Sequence, residues 1–130
     1  MKKFLFTLLA CLTLGSTFIY ANPQIEKAYH DKQSNVQVQG VGKVTRILAD
    51  DNNGSRHQKF LLKLPSKLTL LVAHNIDLSK KIENLNEGDE VEFFGEYEWN
   101  NKGGVLHWTH HDPRKKHEDG WLKHKNVVYK

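Results

Sequence analysis

The chain has 130 residues, 38% of them hydrophobic and 26% charged, with a formal net charge of +4. That length argues for one domain. A mean hydropathy of −0.61 excludes a protein that crosses a membrane many times, and a single cysteine excludes an intrachain disulfide or a zinc site built on several thiolates.

Lys2 and Lys3 precede an apolar run from Phe4 to Ile19, and Ala21 supplies a small residue after it. This order predicts a signal peptide over residues 1–21, cleavage after Ala21, export to the periplasm or medium, and no membrane span once it is removed. An uncleaved N-terminal anchor is the rival. Leu8-Leu9-Ala10-Cys11 loosely resembles a lipoprotein box, but cutting there leaves a hydrophobic region of only about six residues, too short for that class. The mature chain then begins at Asn22 and contains no cysteine. Its charge is uneven: Pro113 to Lys130 carries six basic and two acidic residues, whereas Asn22 to Asp112 carries eleven basic and thirteen acidic. The basic tail suits an anionic surface or is a solvated terminus.

Residues 22–35 are a polar lead-in or short helix. Alternation from Val36 to Leu48 predicts the first strand, with Gly40 and Gly42 marking a bend. Asp50 to Ser55 is turn chemistry. His57 to Leu64 and Leu68 to Ala73 read as the next two strands. Ile76, Leu78, Ile82 and Leu85 predict a short helix over Asn75–Leu85, with Asn75 or Asp77 as its cap. Glu90 to Glu98 is the fourth strand, with Val91, Phe93, Gly95 and Tyr97 on one face. Asn100 to Gly104 is a hairpin loop and Val105 to Thr109 the fifth strand. Residues 110–130 read as a C-terminal extension of the same domain, which spans 36–130. Three strands, a helical connection and a hairpin are the order of an OB-like five-stranded barrel, mainly β, with its one short helix between strands 3 and 4. An SH3-like barrel is the alternative.

The densest polar group is His107-Trp108-Thr109-His110-His111-Asp112. His107, His110, His111 and Asp112 are the candidate metal ligands, and imidazole suits zinc, nickel or copper better than magnesium. If the hairpin pairs Trp99 with Gly104, Glu96 lies opposite His107 and adds a carboxylate. The same histidines could instead cap strand ends as a structural network. Arg56 and His57 follow an acidic loop that lacks EF-hand spacing, and they suit an anion at the loop base. His74 is a ligand candidate, or a structural histidine. Trp99 and Trp108 offer stacking surfaces, but Glu92, Glu96 and Glu98 on the same hairpin repel phosphate, which argues against nucleic acid as a partner.

Gly54-Ser55-Arg56-His57-Gln58, Ala73-His74-Asn75-Ile76-Asp77-Leu78, Gly95-Glu96-Tyr97-Glu98-Trp99-Asn100, Lys102-Gly103-Gly104-Val105, His107 to Pro113, and Gly120-Trp121-Leu122 together resemble the small exported bacterial family of domain of unknown function 3465. That resemblance supports the domain limits and the choice of polar residues and carries no activity. Two functions are therefore expected from the residues. One is a periplasmic binding module for a divalent metal or small polar ligand. The alternative is a metal-dependent hydrolase, a phosphodiesterase or nuclease, by analogy with the exported OB barrels of thermonucleases. In that case Asp50, Asp51, Arg56 and Glu96 would serve the ion and the phosphate, with His57 or His107 as general base.

Overall fold

A computed structural model describes residues 23–130. The expected signal peptide over residues 1–21, its cleavage point at Ala21 and the box at Cys11 lie outside the described residues. Among the described residues no helix is long and apolar enough to cross a membrane.

The lead-in is an α-helix, α1 (Pro23–His30), whose Ile25 and Ala28 are buried one turn apart in the core. Proline suits the first helical turn because its missing N–H has no partner there anyway. Five strands follow: β1 (Val36–Ile47), β2 (His57–Lys63), β3 (Thr69–Asn75), β4 (Glu90–Glu98) and β5 (Val105–His107). They are ordered β1-β2-β3-β5-β4, and β4 pairs back with β1 to close the barrel. Only β3 and β5 run parallel; the other pairs are antiparallel. This is the OB-like barrel that the sequence predicts.

Alternation makes the core. Phe60, Leu62, Leu70, Val72, Val91, Phe93, Tyr97 and Leu106 point inward and are fully buried. β1 serves two neighbours, pairing with β4 from Val36 to Lys43 and with β2 from Lys43 onward, with a bulge between Val44 and Arg46. Gly40 allows this strand to cross close over the core, since a Cβ there would lie 2.8 Å from Phe93 Cζ. The expected bend is therefore real, and the register shift falls just beyond the two glycines.

Two features differ from expectation. The helix predicted over Asn75–Leu85 is absent from that segment, which runs as turns, and the α-helix precedes β1. Asn75 Oδ1 accepts the amides of Asp77 and Leu78, as the expected cap would, and the Ser79 amide reaches the Asn75 carbonyl (3.1 Å), but the turn is not continued. Ile82 is then clamped by buried Gln58, whose Oε1 accepts the Ile82 amide (2.9 Å) and whose Nε2 donates to its carbonyl (3.1 Å). With its main chain bonded to a neighbouring strand, Ile82 cannot join an i→i−4 ladder. The second difference is a C-terminal hairpin, β6 (Trp121–His124) and β7 (Val127–Tyr129), in the extension to which the sequence assigned no strands. β6 pairs with β4 over Glu92–Phe94, continuing the edge that β5 vacates after His107.

Candidate metal centre

Strand parity places the cluster. Because Val91, Phe93, Gly95 and Tyr97 face the core, Glu96 and Glu98 stand side by side on the outer face of β4. On β5, Leu106 faces in and His107 faces out. The register sets Glu96 directly opposite His107, as the pairing of Trp99 with Gly104 requires. His107 Nε2 lies 3.3 Å from Glu96 Oε2 and 3.4 Å from Glu98 Oε2. His117 Nε2 meets the other Glu96 oxygen, Oε1, at 2.6 Å. With its amide nitrogen turned to the carboxylates, Asn35 donates to Glu98 Oε2 (2.9 Å) and Glu96 Oε2 (3.3 Å). Across the strand pair from Glu96, Gln37 leaves a buried Nε2 donor without a hydrogen-bond partner.

Two carboxylates this close repel each other unless something positive lies between them. Burial alone would raise the Glu96 carboxyl, whose side chain is only 14% exposed. Hydrogen bonds with His117 and Glu98 and the charge of the neighbouring imidazoles nonetheless hold it below the usual carboxylate value. At His117, burial opposes the charged ring, but the hydrogen bonds to Glu96 and to the Glu118 carbonyl and the charges of Glu96 and Asp112 together raise the imidazole above its ordinary value. The Glu96 carboxylate and the His117 imidazole thus favour each other's charged forms.

Ligand atoms of Glu96, Glu98 and His107 all lie within 4.8 Å of one another. Bonds of about 2.0–2.1 Å to a tetrahedral zinc ion put neighbouring ligand atoms roughly 3.3 Å apart. The two His107–carboxylate separations, 3.3 and 3.4 Å, match that edge. The donor set, one nitrogen with two carboxylates, is also one that zinc accepts.

His117 arrives on the 108–120 loop, and Asp112 builds that loop. Its carboxylate accepts the amides of Arg114 (2.9 Å), Lys116 (3.0 Å) and His117 (2.7 Å), while its own amide donates to Asp119 Oδ1 (2.8 Å). These amides, Arg114 first, keep the Asp112 carboxyl low. Trp108 enters the loop in the left-handed region, at φ 54°, and its ring stacks on His117 at 3.9 Å with planes 7° apart. Gly120 closes the loop where a Cβ would strike the Trp108 carbonyl.

The metal set expected from the sequence is therefore divided. His107 belongs to the carboxylate cluster. Asp112 is a loop organiser, and His111 offers its carbonyl, which accepts from His110 Nδ1 at 2.7 Å. Burial pushes His110 below the ordinary imidazole value. His57 donates from Nδ1 to the Ser55 carbonyl at 2.9 Å. His57 and His110 are nonetheless brought together, since both line a cavity of about 260 Å³ along with Asn75, His107 and Trp108. Arg56 turns elsewhere: its Nε and its amide both donate to the Asp77 carboxylate, at 2.7 and 2.9 Å. His74 is inside the barrel wall, bonded to Thr109 Oγ1 (2.8 Å) and the Lys80 carbonyl (3.1 Å). Trp99 pins α1 to the barrel, donating to the Tyr29 carbonyl at 2.9 Å and stacking on the Tyr29 ring. Asp50 pairs with Lys81 at 2.6 Å. Glu98 shares a face with Glu96 two residues away, a period that could have marked it as a ligand; no local pattern marks His117 or Asn35.

No curated protein matches the chain. A family profile described as protein of unknown function (DUF3465) matches residues 7–130. With that span covering nearly the whole sequence, the chain belongs to the DUF3465 family.

Proposed function

We propose that this protein is an exported binding module that holds one divalent transition-metal ion, with zinc as the best fit, on Glu96, Glu98 and His107. The observation that carries the reading is the convergence of two carboxylates and an imidazole from adjacent strands within 4.8 Å. The strands fix these residues, so little ordering entropy is lost on binding. His117, already on Glu96 Oε1, orients that carboxylate for the ion, as an outer partner does in many metal sites. Zinc can be held by this donor set, and its charge offsets the carboxylate repulsion.

The neighbouring cavity suits a small polar ligand. Backbone carbonyls only accept, so His57 and His110 each donate from Nδ1, which leaves Nε2 as the ring atom for a ligand. The cavity walls therefore offer two imidazole rings to a small polar ligand. Arg56, the guanidinium that the hydrolase reading assigns to the phosphate, is held instead by Asp77. Export rests on the leader pattern, and N-terminal sequencing of periplasmic protein should start at Asn22; a start at Met1 refutes it.

Calorimetric titration with Zn²⁺ at pH 7.5, on protein without a histidine tag, should show one equivalent bound. Glu96→Gln, Glu98→Gln and His107→Ala should each weaken it by about tenfold or more, a loss of about 1.4 kcal/mol. His111→Ala should bind like the wild type. Binding should fall toward about pH 5.5, because protons compete for the imidazole. Absence of zinc binding by the wild type, or unchanged affinity in all three ligand variants, refutes the proposal.

A further inference from the structure

β1 parts from β4 at Lys43, which lies opposite both Glu90 on β4 and Lys63 on β2. The bulge after Val44 turns the strand away at this point. The connection into β4 is tied to the turn by two bonds, Gly88 amide to Val44 carbonyl (2.7 Å) and Val44 amide to Asp89 carbonyl (2.8 Å). An open hollow of about 490 Å³ results between β1, the Leu64–Lys67 turn and Gly88. Its size falls in the usual range for small-ligand sites, about 300–1,000 Å³.

The lining has two chemistries. Half-buried Val41 and exposed Pro65 supply apolar surface over buried Val44 and Leu64, while Lys43, Lys63 and Lys67 line the hollow with a single carboxylate, Glu90. None of the three lysines has an ion-pair partner among the described residues. Lysine stems extend apolar surface while their ammonium groups stay in water, so the charges and the apolar wall can serve one ligand together.

We propose that this hollow binds a small amphiphilic carboxylate, an acid carrying a short unbranched apolar chain. The chain removes the hollow's apolar lining from water, and the carboxylate meets an excess of two positive charges. A bare anion leaves the apolar lining exposed, and a neutral alcohol leaves the ammonium groups unmatched. No residue of the hollow belongs to the metal cluster, so this site stands or falls independently of the zinc reading.

The test is calorimetric titration of the purified chain with sodium octanoate, with acetate and octan-1-ol as controls. Saturable octanoate binding is expected. Acetate and octan-1-ol should each bind about tenfold more weakly or worse. The triple variant Lys43→Gln, Lys63→Gln, Lys67→Gln should lose about tenfold in affinity, and added salt should weaken the wild type. All three lysines are exposed, and an unchanged melting temperature will show that the variant folds. Glu96→Gln, which lacks a zinc ligand, should keep octanoate affinity. The proposal is overturned if octanoate shows no saturation below about 10 mM. It is equally overturned if octan-1-ol binds as tightly, if the triple variant is unaffected, or if Glu96→Gln abolishes binding.

Discussion

Acid should destabilise this barrel through His74. The ring is fully buried on β3. Its Nε2 faces the Lys80 carbonyl, which only accepts, so the proton resides on Nε2 and Nδ1 accepts from the Thr109 hydroxyl. Both ring nitrogens are satisfied in the neutral form, and a second proton would displace the Thr109 hydrogen. Burial accordingly lowers the pKa from 6.5 to about 4, with the Lys80 carbonyl opposing and His110 and His57 adding repulsion. Because the unfolded chain takes up the proton first, stability is fully present above about pH 6.5 and is lost as pH falls toward 4. The gap corresponds to about 3 kcal/mol. For a domain of this size that is roughly 10–15 °C in melting temperature. The assay is urea unfolding at pH 7.5, 6.5, 5.5 and 4.5 for wild type and His74→Gln, whose carboxamide keeps a donor and an acceptor but does not titrate. Other groups act equally in both proteins, including His117, whose raised pKa stabilises in the opposite direction. The difference between the two pH profiles therefore isolates His74. Parallel profiles would refute the reasoning.

Deleting residues from Gly120 onward removes fully buried Leu122 and bares the β4 edge at Glu92–Phe94. Losing that leucine alone costs about 2 kcal/mol, so the melting temperature should fall by roughly 8 °C or more; an unchanged value would mean that the hairpin does not support the barrel. Asp112→Ala removes the acceptor of three loop amides and frees His117 from its position. Its melting temperature should fall, whereas zinc affinity should drop less than in Glu96→Gln. An equal loss of zinc affinity in the two variants would make Asp112 a ligand.

The strands were legible because each has one wet and one dry face. In β4, Val91, Phe93, Gly95 and Tyr97 alternate with polar or half-exposed residues, and the observed limits, Glu90–Glu98, are those that the pattern predicts. The helix was misplaced because apolar spacing alone cannot reveal a distant clamp: Gln58 lies 24 residues before Ile82. The β6–β7 hairpin was hidden by the brevity of its strands. Its turn is formed by Lys125 and Asn126, at φ 50° and 66°, and lacks the glycine that usually advertises two successive left-handed residues.

The site was legible only where strand geometry carried it. Register alone puts Glu96 opposite His107, and parity adds Glu98 to the same face. The other ligands expected from the sequence rested on density along the chain, and density along the chain is a poor guide to density in space. Six extended residues span roughly 20 Å, so neighbours in sequence need a turn before they can share an ion. Here the strand stops at His107, and Trp108 takes a left-handed conformation. The ring of His110 passes to the cavity with His57. The carboxylate of Asp112 folds its own loop. That loop returns His117 to Glu96 from 21 positions away, a contact with no local signature. The histidine-rich hexapeptide thus supplies a ligand, a cavity wall and a loop scaffold, and His107 is the residue that borders both the carboxylates and the cavity. His107→Ala should accordingly perturb zinc binding and the cavity together, whereas Glu98→Gln should perturb zinc binding alone.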